Sequence, residues 1–168
     1  ESHSPRVASR SLGEKKFLQK EEVANVTKKS AAYMKWEKEF DGKTEVNLSE
    51  KNLTDEDALA IGELLKTNNT LTYLYLRNNN ITDVQSIGEG LKTNNTLTEL
   101  YLANNNITDD GGIQSIIDVL KTNNTLKYID LGNNQLSDNM KSQLKAIQQY
   151  KRDGSNGYQR VKRMWIYT

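Results

Sequence analysis

Between residues 43 and 150, aliphatic side chains return in a fixed frame. Leu71, Leu74 and Leu76 precede Asn79 and Ile81; Leu97, Leu100 and Leu102 precede Asn105 and Ile107; Leu126, Ile129 and Leu131 precede Asn134 and Leu136. The copies lie 26 and then 29 residues apart. Inside each, the step between the second and third aliphatic residues is two, which predicts a short strand with one buried face. The residues that follow change period. Leu59, Ile61, Leu64 and Leu65 come after Thr54-Asp55-Glu56-Asp57, and Ile113, Ile116, Ile117 and Leu120 after Thr108-Asp109-Asp110. That spacing is helical, and the preceding hydroxyl and carboxylate residues suit N-caps and the positive end of the helix dipole. Each unit therefore reads as strand, turn, helix and loop.

One such unit cannot bury its apolar edge alone, whereas stacked units share a continuous core. The Asn at the ninth position (Asn79, Asn105, Asn134) has a matching task. Its amide can bond backbone groups where the strand turns, so successive copies form a structural ladder. Asn104, one residue earlier, reads as solvent-facing and free to change. An earlier copy, residues 43–65, keeps Val46, Leu48 and Leu53 in frame but has Lys51 at the ladder position. A terminal repeat lacks one neighbour, so this divergence is expected there.

The L-x-x-L-x-L-x-x-N-x-L frame, recurring in phase, resembles the leucine-rich repeat family. A helix in every unit and a length near 28 resemble its ribonuclease-inhibitor-like subtype. The resemblance implies an α/β fold: a short solenoid of four repeats with a parallel concave sheet, convex helices and a helical N-terminal cap. It also implies partner binding on the concave sheet. The joints Lys66–Leu71, Lys92–Leu97 and Lys121–Leu126 are similar to those of tropomodulin, whose repeat domain caps actin, and this makes actin regulation an alternative.

The flanks complete the domain reading. Residues 1–13 are polar, contain the only Pro, and are expected to be disordered. Residues 14–42 read as a helical cap, because Tyr33, Trp36 and Phe40 share one face beside Met34 and Ala32. Four repeats occupy 43–150. Residues 151–168 read as a C-terminal cap or a docking tail: a turn at 153–157, then a segment that as a strand places Val161, Arg163, Trp165 and Tyr167 on one face.

Charge sharpens the picture. Residues 40–140 hold 7 basic and 15 acidic side chains, a net of −8, whereas residues 141–168 hold 7 and 1, a net of +6. A basic face on the array, which nucleic-acid binding would need, is missing. No stretch has the length of a membrane span. The chain has no Cys, which leans towards a cytoplasmic setting; residue 1 is Glu, so a leader removed before this start is compatible with the sequence. The N-x-[ST] sequons arise from the repeat itself and are expected to carry no glycan.

If the constant positions build the solenoid, the variable ones point off it. Alternation along each strand gives three columns on the concave face: Glu45, Tyr73, Glu99, Tyr128; then Asn47, Tyr75, Tyr101, Asp130; then Ser49, Arg77, Ala103, Gly132. Four tyrosines on one small face offer large contact area with little conformational entropy to lose. The alternative is that the rings are simply good strand formers. Arg77 breaks the acidic field and is expected to grip a carboxylate on the partner. The expected partner-binding residues are Tyr73, Tyr75, Arg77, Glu99, Tyr101, Tyr128 and Asp130.

Catalysis finds no candidates. His3 is the only histidine, there is no thiol, and Gly111-Gly112 lacks the Lys and Ser/Thr of a phosphate loop. Neither a metal nor a cofactor is expected. The function expected is protein recognition by a non-enzymatic module that is monomeric or weakly self-associating, with a partner carrying a basic patch. A substrate-recruiting arm of a larger ligase or effector is the other reading beside actin regulation.

Overall fold

A computed structural model describes residues 30–153 and 165–168. The expectations for residues 1–13, for 14–29 of the helical cap and for the turn and segment within 154–164 lie outside the described residues. Helix α1 (Ala31–Phe40) is followed by four strand–helix units: β1 (Glu45–Asn47) and α2 (Asp55–Thr67), β2 (Tyr73–Tyr75) and α3 (Gln85–Thr93), β3 (Glu99–Tyr101) and α4 (Ile113–Thr122), β4 (Tyr128–Asp130) and α5 (Asp138–Asp153). A last strand, β5 (Trp165–Tyr167), completes a parallel sheet in the order β1-β2-β3-β4-β5. This is a leucine-rich repeat solenoid in miniature, with the sheet on the concave side and the helices on the convex side.

The core is the aliphatic frame. Leu71, Leu74, Leu76, Leu97, Leu100 and Leu102 are all essentially inaccessible, as are Ile81 and Ile107. Strand register places Val46, Leu74, Leu100, Ile129 and Ile166 in one inward row. One member of the expected helical stripe departs from it. Leu59 is half exposed, with Ala58 and Ala60 buried on either side of it, because it falls on the same helical stripe as the exposed Glu56, Glu63 and Lys66. Glycine lets this helix lie close to the next. A Cβ on Gly62 would sit 2.3 Å from the Ser86 carbonyl oxygen, and one on Gly90 2.3 Å from that of Gly62. The backbones of α2 and α3 touch where a side chain would hold them apart.

Both ends of the array are covered. Helix α1 buries Ala32, Trp36 and Phe40, and the Trp36 indole N–H donates to Asp57 Oδ1 at 2.8 Å. At the other end β5 pairs with β4, buries Ile166, and accepts the Leu131 N–H at the Tyr167 carbonyl.

The ninth-position asparagines act between units. Asn79 Oδ1 accepts the N–H groups of Lys51 and Leu53, both at 3.0 Å, while its Nδ2 donates to the carbonyls of Leu48 and Leu76. Asn105 repeats this with Ile81 N–H and the carbonyls of Leu76 and Leu102; Asn134 does so with Ile107 N–H and those of Leu102 and Leu131. Each amide, buried in Asn79 and Asn105 and half-buried in Asn134, closes the turn of the unit before it.

Two further ladders were not expected. Asn68, Asn94 and Asn123, in the repeat joints, each accept two N–H groups just ahead of the next strand. Asn94 and Asn123 also donate to carbonyls of the preceding unit. The carboxylates expected to cap helices divide into two kinds. Asp57 caps α2 by accepting Thr54 N–H, and Asp83 accepts Gln85 N–H. Asp55 and Asp109 instead reach across to the next unit, accepting N–H groups of Thr82 and Asp83 and of Ser137. Neither therefore caps its own helix by a hydrogen bond, although Asp55 lies in the first turn of α2, where its charge suits the helix dipole. The third unit starts α4 after Gly112, at φ +71°, so its carboxylates stand too far from the helix to cap it.

Candidate functional site

The strands are only three residues long, and in β1 to β4 alternation sends the first and third side chains out of the concave face. Register aligns Glu45, Tyr73, Glu99, Tyr128 and Trp165 in one column, and Asn47, Tyr75, Tyr101, Asp130 and Tyr167 in the next. Parallel neighbours are close enough for rings to touch. Tyr75 and Tyr101 stack with centroids 4.5 Å apart and planes 10° from parallel, and Tyr128 tilts against Tyr101 at 5.0 Å. Tyr73 is the most open of the four, 36% exposed, while the other three are half-buried.

The polar groups are threaded through this stack. Tyr101 Oη donates to Glu99 Oε2. Burial raises the phenol pKa of Tyr101, and the hydrogen bond and charge of Glu99 raise it further. Burial also raises those of Tyr75 and Tyr128, with nearby carboxylates adding to the effect. At neutral pH these hydroxyls are therefore firmly protonated and able to donate.

Two expected partner-binding residues stand differently from the sequence reading. Asp130 is only 5% exposed, and Arg77 Nη2 bonds its Oδ2 at 2.6 Å. The Arg77 guanidinium lies 4.5 Å from the Tyr101 ring centroid. Arg77 thus grips a carboxylate of its own chain, and the expectation that it is free for a partner's is corrected. Its long side chain spans from the end of β2 past β3, where a buried acid lies within reach. Gly132 N–H also donates to Asp130, at 3.0 Å.

Tyr167 was not counted on this face and belongs to it. It pairs with Asp130 in register, is 63% exposed, and its ring fills the space that a side chain on Gly132 would take. The sequence signal was the glycine in the third column beside an alternating aromatic segment.

The remaining chemistry is sparse among the described residues. They contain no group of three or more His, Cys, Asp or Glu placed to hold a metal, and no helix long and apolar enough to cross a membrane.

Residues 69–115 match a family model described as Leucine Rich repeats (2 copies), and residues 122–139 match one described as Leucine Rich repeat. These are leucine-rich repeats. The unit that begins at residue 43 falls outside the matched ranges, yet it supplies β1, paired in parallel with β2, and α2. No curated protein sequence matches the chain. Among solved structures, the leucine-rich repeat array is similar to "Leiomodin-1 Actin-Binding Site 2 (ABS2)", with a TM-score of 0.64 and 26% identity. That likeness covers 84% of this chain and 81% of the leiomodin-1 chain.

Proposed function

We propose that this chain is a non-enzymatic protein-recognition module whose contact surface is the concave sheet, and that its partner presents a basic patch. The observation that carries the proposal is the continuous aromatic platform of Tyr75, Tyr101 and Tyr128 with Tyr73 beside it. Rigid rings with polar tips supply contact area at little entropic cost, and an array of net −8 steers a basic partner. On this reading α1 and β5 are end caps, and the unit length places the repeats in the ribonuclease-inhibitor-like subtype. A cytoplasmic setting, towards which the cysteine-free composition leans, belongs to the same reading.

A second reading makes actin the partner. The likeness to an actin-binding site of leiomodin-1 over most of both chains favours it. Affinity capture followed by mass spectrometry, with actin co-sedimentation beside it, tests the partner's identity. Calorimetry with that partner tests the surface: Tyr75→Ala combined with Tyr101→Ala is expected to lose roughly 2 kcal/mol or more of binding. Normal binding by the double variant, with loss of binding on removal of residues 158–168, would move the site to the tail.

A further inference from the structure

The concave face is electrostatically complete on one side and open on the other. Towards β4, Arg77 lies over the Tyr101 ring and bonds Asp130, so ring, guanidinium and carboxylate form a closed trio. Towards β1 the same kinds of group recur without the cation. Tyr73 stands in register between Glu45 and Glu99, one strand to either side. Among the described residues, no ion pair engages either glutamate, although four of the five ion pairs join helical or helix-flanking side chains elsewhere.

The ring at this end is open as well. The register neighbour of Tyr75 on β1 is Asn47, whose Oδ1 turns back to accept Ser49 N–H at 3.0 Å. No second ring or cation stacks on Tyr75 from that side among the described residues. Glu45, Asn47 and Tyr73 are all exposed. Burial raises the pKa of the Tyr75 hydroxyl, and the negative charges of Glu45 and then Glu99 raise it further, against the opposing charge of Arg77. Two carboxylates without cations are therefore focused on a small aromatic surface.

We propose that the Glu45–Tyr73–Glu99 column, together with the β1-facing side of Tyr75, receives one arginine side chain of a protein partner, in the manner in which Arg77 docks on Tyr101 and Asp130. The inference rests on the concave-face reading and narrows it to one subsite and one side-chain type. Arginine suits the subsite because its planar guanidinium lies flat on a ring and bonds a carboxylate from its edge at the same time. Glu45 is the free acceptor. Glu99, already accepting from Tyr101, contributes field more than a new hydrogen bond.

A triarginine peptide and its citrulline counterpart, which keeps the shape and loses the charge, are the probes. Binding is followed by amide shifts in two-dimensional NMR at low salt. The arginine peptide is expected to shift the amides of Glu45, Tyr73 and Tyr75, and the citrulline peptide to leave them in place. Glu45→Gln and Tyr73→Ala, both at exposed positions, should each weaken the arginine peptide about threefold. Wild-type affinity in either variant, shifts confined to the acidic helices, or equal binding of citrulline would overturn the proposal. If it is overturned while the Tyr75–Tyr101 double variant still fails to bind the partner, only the arginine subsite falls. If that double variant binds the partner normally, the concave-face reading is what has failed.

Discussion

Arg77 and Asp130 are 53 residues apart in sequence and 2.6 Å apart in space, joined across the intervening strand β3. The pair draws together the ends of three repeats and fixes a cation over the central ring of the stack. Arg77→Ala leaves a carboxylate buried without its counter-ion, at a cost of about 1–2 kcal/mol once the partial exposure of the arginine is discounted. Pairing it with Asp130→Asn in a double-mutant cycle by urea denaturation should recover part of that loss. Strict additivity would show that the pair is not coupled.

The ladder and its neighbour give a second contrast. Asn105→Ala strands the Ile81 N–H and the carbonyls that its Nδ2 serves, so about 1–3 kcal/mol is expected to be lost. Asn104 is not the free surface position that its place in the repeat indicates. Its φ is +56°, as are or nearly so those of Asn78 and Asn133, and only glycine and asparagine enter that region readily. Asn104→Ala should therefore cost about 1 kcal/mol, and Asn104→Gly much less. Chemical denaturation of the three variants measures this order.

Trp36 ties the first helix to the first repeat through Asp57, which also holds the start of α2. Trp36→Phe keeps one aromatic ring but loses the hydrogen bond and the buried volume of the second ring, for about 1–2 kcal/mol. Trp36→Ala also opens the interface and should cost about 3–5 kcal/mol. Thermal melts of the two proteins measure this order.

The tyrosine stack has an alkaline signature. Folding raises the pKa of Tyr75, Tyr101 and Tyr128 above the ordinary 10.0. Above that value unfolded phenols ionise while the folded ones resist, so the unfolded state binds fewer protons. The stability these groups confer is complete below pH 10 and is lost as the pH rises towards their folded values. Phenolate absorbance should rise late for three of the eight tyrosines, and Tyr101→Phe should remove the latest of them. A wild type whose phenols all titrate together while folded would contradict the stack.

The period of the chain made the solenoid legible, because a frame that repeats in phase leaves little freedom over which side chains turn inward. The columns of the concave face followed from the same alternation. What the letters did not show was reach. The side chain of Arg77 extends past β3 to a buried acid, and Asp55 and Asp109 serve the unit ahead of their own. Spacing along a sequence reports which face a residue takes, but not how far a long or charged side chain travels once its neighbours are stacked. The backbone at Asn104 was hidden for another reason. Asparagine is common at exposed turns whether or not its φ is positive, so its identity alone does not distinguish the two.

The ninth-position amides all face backwards: Asn79 closes the turn at Leu53, 26 residues before it, and Asn105 closes the turn at Ile81, 24 residues before it. A chain made from its N-terminus emerges in the opposite order. Each turn leaves the ribosome while the asparagine that closes it is still inside the exit tunnel. The array therefore matures with a lag of one repeat, its newest turn always the loosest, and a pause in translation that leaves Leu53 outside the tunnel and Asn79 within it would hold the first turn unlocked for as long as the pause lasts.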